Sequence, residues 1–382
     1  MSCKLTPRFN YTLATQAYLS LLKKSPPSLP DKFNFFINNR RLFFFKNART
    51  GLRLLLSSIP RKKLRIGVQA FTCHTVFQAI RKAGHQIVFI DLDNELKLDL
   101  DHLNAKLDSL DALIVTHTFG YPEDLDQIRR IYKERSIIED CSHSFLSEYK
   151  GALTGAIGDA AIFSTGLGKF PPIGAGGFCA INSFDNFARF EDQNHKVPLE
   201  KKKTSAKEFC KVLFLSIMME PPFYGMLTYP LGKQLDTRMD FINKFSFSET
   251  KGHPWAKTVF ENEFYLFNKM LEMQKENAAL VSSLLKRKNP AVSTGFSNTP
   301  NFYAFPLLVE NRDEIYNKLF ENNIEAGKHF HKSIEWASEF GYKKGDCPNT
   351  ELIVKRIITL PIHYGVSRKK ITNIAEIVNG LT

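Results

Sequence analysis

From residue 64 to residue 182 the chain alternates short apolar runs with amphipathic stretches, and that rhythm limits its folds more than any other feature. The runs fall at 64–70, 86–91, 112–118, 136–140, 160–164 and 177–182, and helical patterns occupy 74–83 and 123–134. Runs of this kind suit strands covered on both faces, with helices returning the chain for parallel pairing. The alternation predicts an α/β fold with a mostly parallel sheet, whose ligands bind at the carboxyl ends of its strands. The last runs are more closely spaced, which leaves room for hairpin-like or mixed pairing.

Outside this stretch the pattern is looser. Residues 1–40 form a lead-in in which Pro26, Pro27 and Pro30 break any helix. Asn47 to Ile59 reads as a turn followed by an amphipathic helix, and 255–287 reads as one long helix with apolar residues near i, i+3, i+4 and i+7. Apolar runs at 302–309 and 357–362 then accompany helical patterns at 312–322 and 367–380. A large domain over 1–259 and a smaller α+β domain over 260–382 are expected.

With 382 residues the chain is long enough for two such domains, and 43% hydrophobic residues fit a globular protein. Phe is frequent, at 33 residues against 2 Trp, and reads as core filler. The net charge of +13 asks for an acidic partner, but no finger, RNP-like or helix-turn-helix signature supports nucleic acid. Lys196, Lys201, Lys202, Lys203, Lys207 and Lys211 cluster, and a solvated face is the plainest account. Contact with a membrane surface is not expected. Six cysteines lack metal-ligand spacing, which predicts no metal site and a reducing, cytoplasmic setting. No signal peptide is apparent, and the longest apolar segment, 212–219, is far short of the ~20 residues of a spanning helix.

The chemistry concentrates between Ile137 and Asn182. Glu139-Asp140 ends one apolar run, the next delivers Ser164, and Lys169 follows five residues later, before the glycine cluster Gly174, Gly176 and Gly177. A strand-end aspartate, a serine and a loop lysine suit pyridoxal phosphate (PLP). Asp140 can keep the pyridine nitrogen protonated, Ser164 can donate to the phosphate, and Lys169 can form the Schiff base.

This segment resembles the DegT/StrS family of PLP-dependent sugar aminotransferases, in which Glu-Asp is followed by His or Gln three residues on, as His143 follows Asp140. The Phe163-Ser164 pair and its spacing to Lys169 also match, while the Gly-Glu-Gly-Gly run of that family reads Gly174-Ala175-Gly176-Gly177 here. The resemblance implies a fold-type-I architecture: a large domain on a mostly parallel seven-stranded sheet, plus a smaller α+β domain. It implies phosphate contacts from Arg49 and Thr50, in a segment Ala48-Arg49-Thr50 that replaces the usual Ser-Gly-Thr. It places the ring-stacking residue within Phe71-Thr72-Cys73-His74, where Cys73 takes the usual aromatic position and Phe71 or His74 is the substitute platform. It implies substrate contacts for His117, within His-x-x-Gly, and for His329, within Lys328-His329-Phe330-His331. Residues 190–255 depart from the family, and its asparagine motif for the neighbouring subunit's phosphate is not recognisable there.

The resulting expectation is an aminotransferase taking an amino group from an amino acid, such as glutamate, to a keto sugar linked to a nucleotide. Surface polysaccharide or secondary-metabolite synthesis is its expected setting, and a homodimer its expected assembly. Two other readings stay open: a PLP enzyme of another reaction type, such as a dehydratase, and a non-catalytic basic scaffold.

Overall fold

Each of the six apolar runs becomes a strand of one sheet in the computed structural model, which describes residues 41–133, 135–183, 185–220, 223, 224, 226, 249–288 and 298–382. They are β2 (Arg65–Gln69), β3 (Gln86–Ile90), β4 (Ala112–Thr116), β5 (Ser136–Asp140), β8 (Ala160–Ser164) and β9 (Gly177–Ile181). A seventh strand, β1 (Arg41–Phe45), precedes them. The order is β1-β9-β8-β5-β4-β2-β3. Strands β3, β2, β4, β5 and β8 pair in parallel, whereas β9 runs antiparallel to both β8 and β1. The closely spaced final runs thus give the mixed edge.

Strand alternation explains the two faces. Ile114 and Ile138 join a core with Leu52, Leu55, Phe77 and Ile80, from α1 (Ala48–Ser58) and α2 (His74–Lys82). Their neighbours Leu113, Val115 and Ile137 point the other way, onto Leu103, Leu125 and Ile128 of α3 (Leu100–Ala105) and α4 (Leu125–Ile131). Asn47, Asp99 and Asp124 cap α1, α3 and α4 by accepting from backbone N–H groups of their first turns.

Beyond β9, α5 (Phe190–Lys196) and α6 (Lys202–Met218) occupy part of the divergent stretch. The expected helix over 255–287 is two helices, α7 (Pro254–Asn262) and α8 (Phe264–Leu284). Glu263 leaves the helical basin between them (φ −104°, ψ 17°), with no Gly or Pro to announce the break. Residue 259 lies inside α7, and both Val259 and Phe260 are buried in the large core. A division there falls within packed structure and not in a linker.

The C-terminal portion packs α8, α9 (Arg312–Glu321) and α12 (Arg368–Leu381) onto the antiparallel pair β11 (Phe305–Leu308) and β12 (Ile357–Leu360). Two further helices, α10 (Ser333–Ser338) and α11 (Pro348–Arg356), carry no strong pattern in the sequence. A small sheet of β6 (Glu148–Tyr149), β7 (Ala152–Leu153) and β10 (Asn298–Thr299) joins the two portions and brings residues 298–303 to the end of β5. Buried Asp91, just after β3, makes a second tie by accepting from the Asn349 and Thr350 N–H groups (2.9 and 2.8 Å) and the Thr350 hydroxyl (2.7 Å) at the start of α11. Among the described residues no helix is long and apolar enough to cross a membrane.

Candidate active site at the carboxyl ends of the strands

Glu139 and Asp140 are adjacent at the end of β5 and therefore face opposite ways. Glu139 is fully buried and accepts from the N–H groups of Gly155 (2.7 Å), Ile157 (2.9 Å) and Gly158 (2.6 Å), with His117 Nε2 at 2.9 Å. Burial alone would raise this carboxyl, but the His117 ring and the backbone donors outweigh it and hold the group below the usual carboxylate range. His117 is thereby occupied: its Nδ1 accepts from the Glu123 N–H at 3.0 Å. With both ring nitrogens engaged, His117 anchors the strand ends and is not free to contact a substrate, contrary to the expectation from the sequence. His117, Glu139 and Cys141 do bring three donor atoms within 4.8 Å of one another, but the Glu139 bonds already fill the lone pairs a metal would need.

Asp140 faces the site, nearly buried, and accepts from the Ser142 N–H at 3.0 Å. Ser164 ends β8 opposite Gly177 of β9. Between them runs the loop carrying Lys169, closed at its base by Thr165, whose N–H donates to Gly176 and whose hydroxyl donates to Ala175 (3.2 and 2.7 Å). Lys169 donates its own N–H to Gly166 at 3.2 Å. Its amine is pulled below the usual lysine value by burial, opposed by the charges of Cys73 and Asp140.

The glycine cluster brings the N-terminus of α1 to this loop. A Cβ on Gly177 would lie 2.5 Å from the Ala48 nitrogen and 2.7 Å from the Phe163 oxygen, so only glycine permits the approach. Asn47 forms a bridge to Gly176 as it caps α1. The start of α1 therefore lies against Gly177, the residue paired with Ser164, and a helix N-terminus suits an anion. Thr50 differs from expectation: it is buried and its hydroxyl donates to Asn47 Oδ1 at 3.1 Å, so it completes the cap. Arg49, lowered by burial and opposed by Cys73, lies close enough to interact electrostatically with that thiol.

Cys73 precedes α2 and accepts from the Thr75 hydroxyl at 3.2 Å, with His74 Nδ1 at 3.8 Å. Burial pushes the thiol up, but the His74 and Thr75 contacts dominate and bring it down to about 7. Phe71 is fully buried, edge-on to Phe330 at 5.4 Å and to Phe119 at 6.1 Å. It supports the pocket wall from behind. His143 stacks on Tyr303 (4.2 Å between centroids, 14° between planes) and on Phe330 (5.6 Å, 11°). Its Nδ1 accepts from the Phe119 N–H at 3.3 Å, leaving Nε2 for a ligand. Burial, then the charges of Lys169 and His329, hold it well below the usual histidine range. His329 Nδ1 sits 2.7 Å from the Thr359 hydroxyl, and burial with Lys169 and His331 lowers its ring to about 4. Both shifts favour the neutral ring.

The structure thus brings Lys169, Asp140, Cys73, His143 and His329 close together at the strand ends, with Gly177, opposite Ser164, against the start of α1. Sequence reasoning missed Phe119, Asn301 and Tyr303. Asn301 is fully buried, donates to the His143 and Phe145 carbonyls (2.9 Å each), and accepts from the Tyr303 N–H at 2.9 Å. The turn Thr299-Pro300-Asn301 ahead of an apolar run was the available signal. The donor set suits PLP: a desolvated primary amine, a carboxylate on the same face, and a glycine-lined helix N-terminus that an added Cβ would fill.

The family model described as DegT/DnrJ/EryC1/StrS aminotransferase family matches residues 26–194 and 261–379. GDP-perosamine synthase of Escherichia coli O157:H7 is 33% identical over 122 residues, spanning 30% of this chain and 34% of that protein. The protein MJ1066 of Methanocaldococcus jannaschii is 24% identical over 362 residues, or 91% and 87% of the two chains. CalS13, a sugar aminotransferase from Micromonospora echinospora, superposes with a TM-score of 0.72 at 18% identity over 99% of both chains. With its matched residues covering most of its length, the chain belongs to the DegT/DnrJ/EryC1/StrS aminotransferase family.

Proposed function

We propose that the chain is a PLP-dependent aminotransferase that transfers an amino group from an amino acid, such as glutamate, to a keto sugar linked to a nucleotide. The observation that supports this most is the meeting of three features at the strand ends. These are the buried amine of Lys169, the carboxylate of Asp140 on the same face, and the α1 N-terminus beside Ser164. The relation to GDP-perosamine synthase supports the nucleotide-linked sugar.

When bound, PLP supplies a carbonyl carbon for amine capture and an electron-withdrawing ring. Lys169 is the attachment point, and its amine, lowered by burial, holds and returns a proton beside the substrate carbon. Asp140 would keep a proton on the ring nitrogen. Ser164, Arg49 and the first N–H groups of α1 would hold the phosphate. His143 would offer Nε2 to the ring oxygen, Cys73 would supply the ring contact, and His329 would meet the substrate. Donor and acceptor use this one pocket in turn.

The test is direct. Purified protein is saturated with PLP, its visible absorbance recorded, and the bond reduced with borohydride before peptide mapping. The pyridoxyl mass is expected on Lys169, and its appearance elsewhere or nowhere overturns the site. Incubation with glutamate and a panel of keto-sugar nucleotides then identifies the acceptor. Amino transfer to simple keto acids alone would overturn the sugar assignment.

A further inference from the structure

Tyr303 touches three parts of the pocket and comes from a segment with no motif of its own. Its phenol donates to the Gly168 carbonyl at 2.9 Å, one residue before Lys169. Its ring lies beneath the Lys169 amine, 5.4 Å from Nζ to the centroid. The same ring stacks on His143 at 4.2 Å and 14°. These contacts are held from behind: Asn301 Oδ1 accepts from the Tyr303 N–H, its amide donates to the carbonyls of His143 and Phe145, and its backbone N–H donates to Ser147 Oγ (3.0 Å). Gly120 leaves room for Asn301, because a Cβ there would overlap the Asn301 amide, and its φ of +88° favours glycine in any case.

We propose that Tyr303 is a positioning residue of this site, holding the Lys169 loop through Gly168 and seating the Lys169 amine over its ring face while fixing the plane of His143. Two jobs are separable by chemistry. The hydroxyl fastens the loop. The ring face favours the ammonium form of Lys169 by cation–π attraction, against the burial that disfavours it. The groups that share the field at Lys169 are Cys73, Asp140, His143 and His329. Of these only His143 touches the Tyr303 ring, and Tyr303→Phe keeps that stack, so the Phe and Leu variants together separate the ring from the hydroxyl. The role deepens the aminotransferase reading, yet its test needs no cofactor.

The experiment uses the full chain without PLP. Lys169 is labelled by a small amine-acylating reagent across pH 6–11, with labelling read by peptide mass, in wild type, Tyr303→Phe and Tyr303→Leu. Tyr303→Leu is expected to move the Lys169 profile down by about half a pH unit, making the amine roughly threefold more reactive at fixed pH below its midpoint. Tyr303→Phe keeps the ring and is expected to restore the wild-type profile. Its missing hydroxyl should instead appear as faster hydrogen exchange in the 165–170 loop. An unshifted profile in Tyr303→Leu overturns the ring's role, and unchanged exchange in Tyr303→Phe overturns the clamp. If PLP fails to attach at Lys169 in wild type while these results hold, the aminotransferase reading falls and the Tyr303 assignment stands.

Discussion

Neighbouring carboxylates at one strand end have separate tasks, and their partners show which is which. Asp140 has a single backbone donor and a face toward Lys169, so Asp140→Ala should cut turnover at least ~100-fold while PLP remains attached. Turnover and absorbance measured together check this; near-normal turnover would make Asp140 a turn cap only. Glu123 offers a pH test. Burial raises its carboxyl to about 7, with Lys97 and His117 opposing. A raised carboxyl favours the folded state fully below the unfolded value near 4.3 and loses that contribution as pH rises through about 7. Relative to Glu123→Gln, wild type should therefore lose roughly 1–3 kcal/mol between pH 5 and 8, read by urea titration at each pH. Lys169, Asp140 and Ser164, singled out in the sequence by their spacing, do lie at the same end of the sheet, because a parallel strand order brings the ends of β5 and β8 side by side. His117 misled because a histidine at a strand end looks alike whether it faces a ligand or a buried carboxylate. Only the third dimension supplies Glu139 as its partner.

Among elements, the seven-stranded sheet was readable where strands are buried on both faces and hence uniformly apolar. The edge strand β1 was not, since it follows a stretch without periodicity. The break between α7 and α8 was invisible because no Gly or Pro marks it, and the buried Phe260 and Phe264 on either side keep a helical spacing across it. The clearest test at this scale is Gly177→Ala, which sets a methyl against backbone atoms of α1 and β8 that cannot rotate away. It should cost about 1–3 kcal/mol of stability and weaken PLP affinity, because it pushes α1 off the loop. A denaturant midpoint and a PLP titration measure the two effects. Unchanged values for both would mean that α1 yields without consequence.

For the whole molecule, exposed apolar side chains lie on the Lys169 loop and on α6. Leu167, two residues before Lys169, is 56% exposed, and Phe214 of α6 is 60% exposed. Covering such groups favours association. We expect a homodimer, stable across a dilution series in sedimentation, whose PLP occupancy falls if the chains are separated. A monomer that binds PLP and turns over would contradict this. The bond set at Asp91 carries a consequence for motion. A buried carboxylate that accepts three donors from α11 cannot be pulled away cheaply, since each lost bond leaves a group without solvent. The C-terminal portion is therefore tied to the sheet at two places, by Asp91 beside β3 and by the β6–β10 pairing with Asn301 at the end of β5. Any motion of one portion against the other must break one of these buried bond sets, so Tyr303 is expected to travel with the strand ends and the Lys169 loop and not away from them.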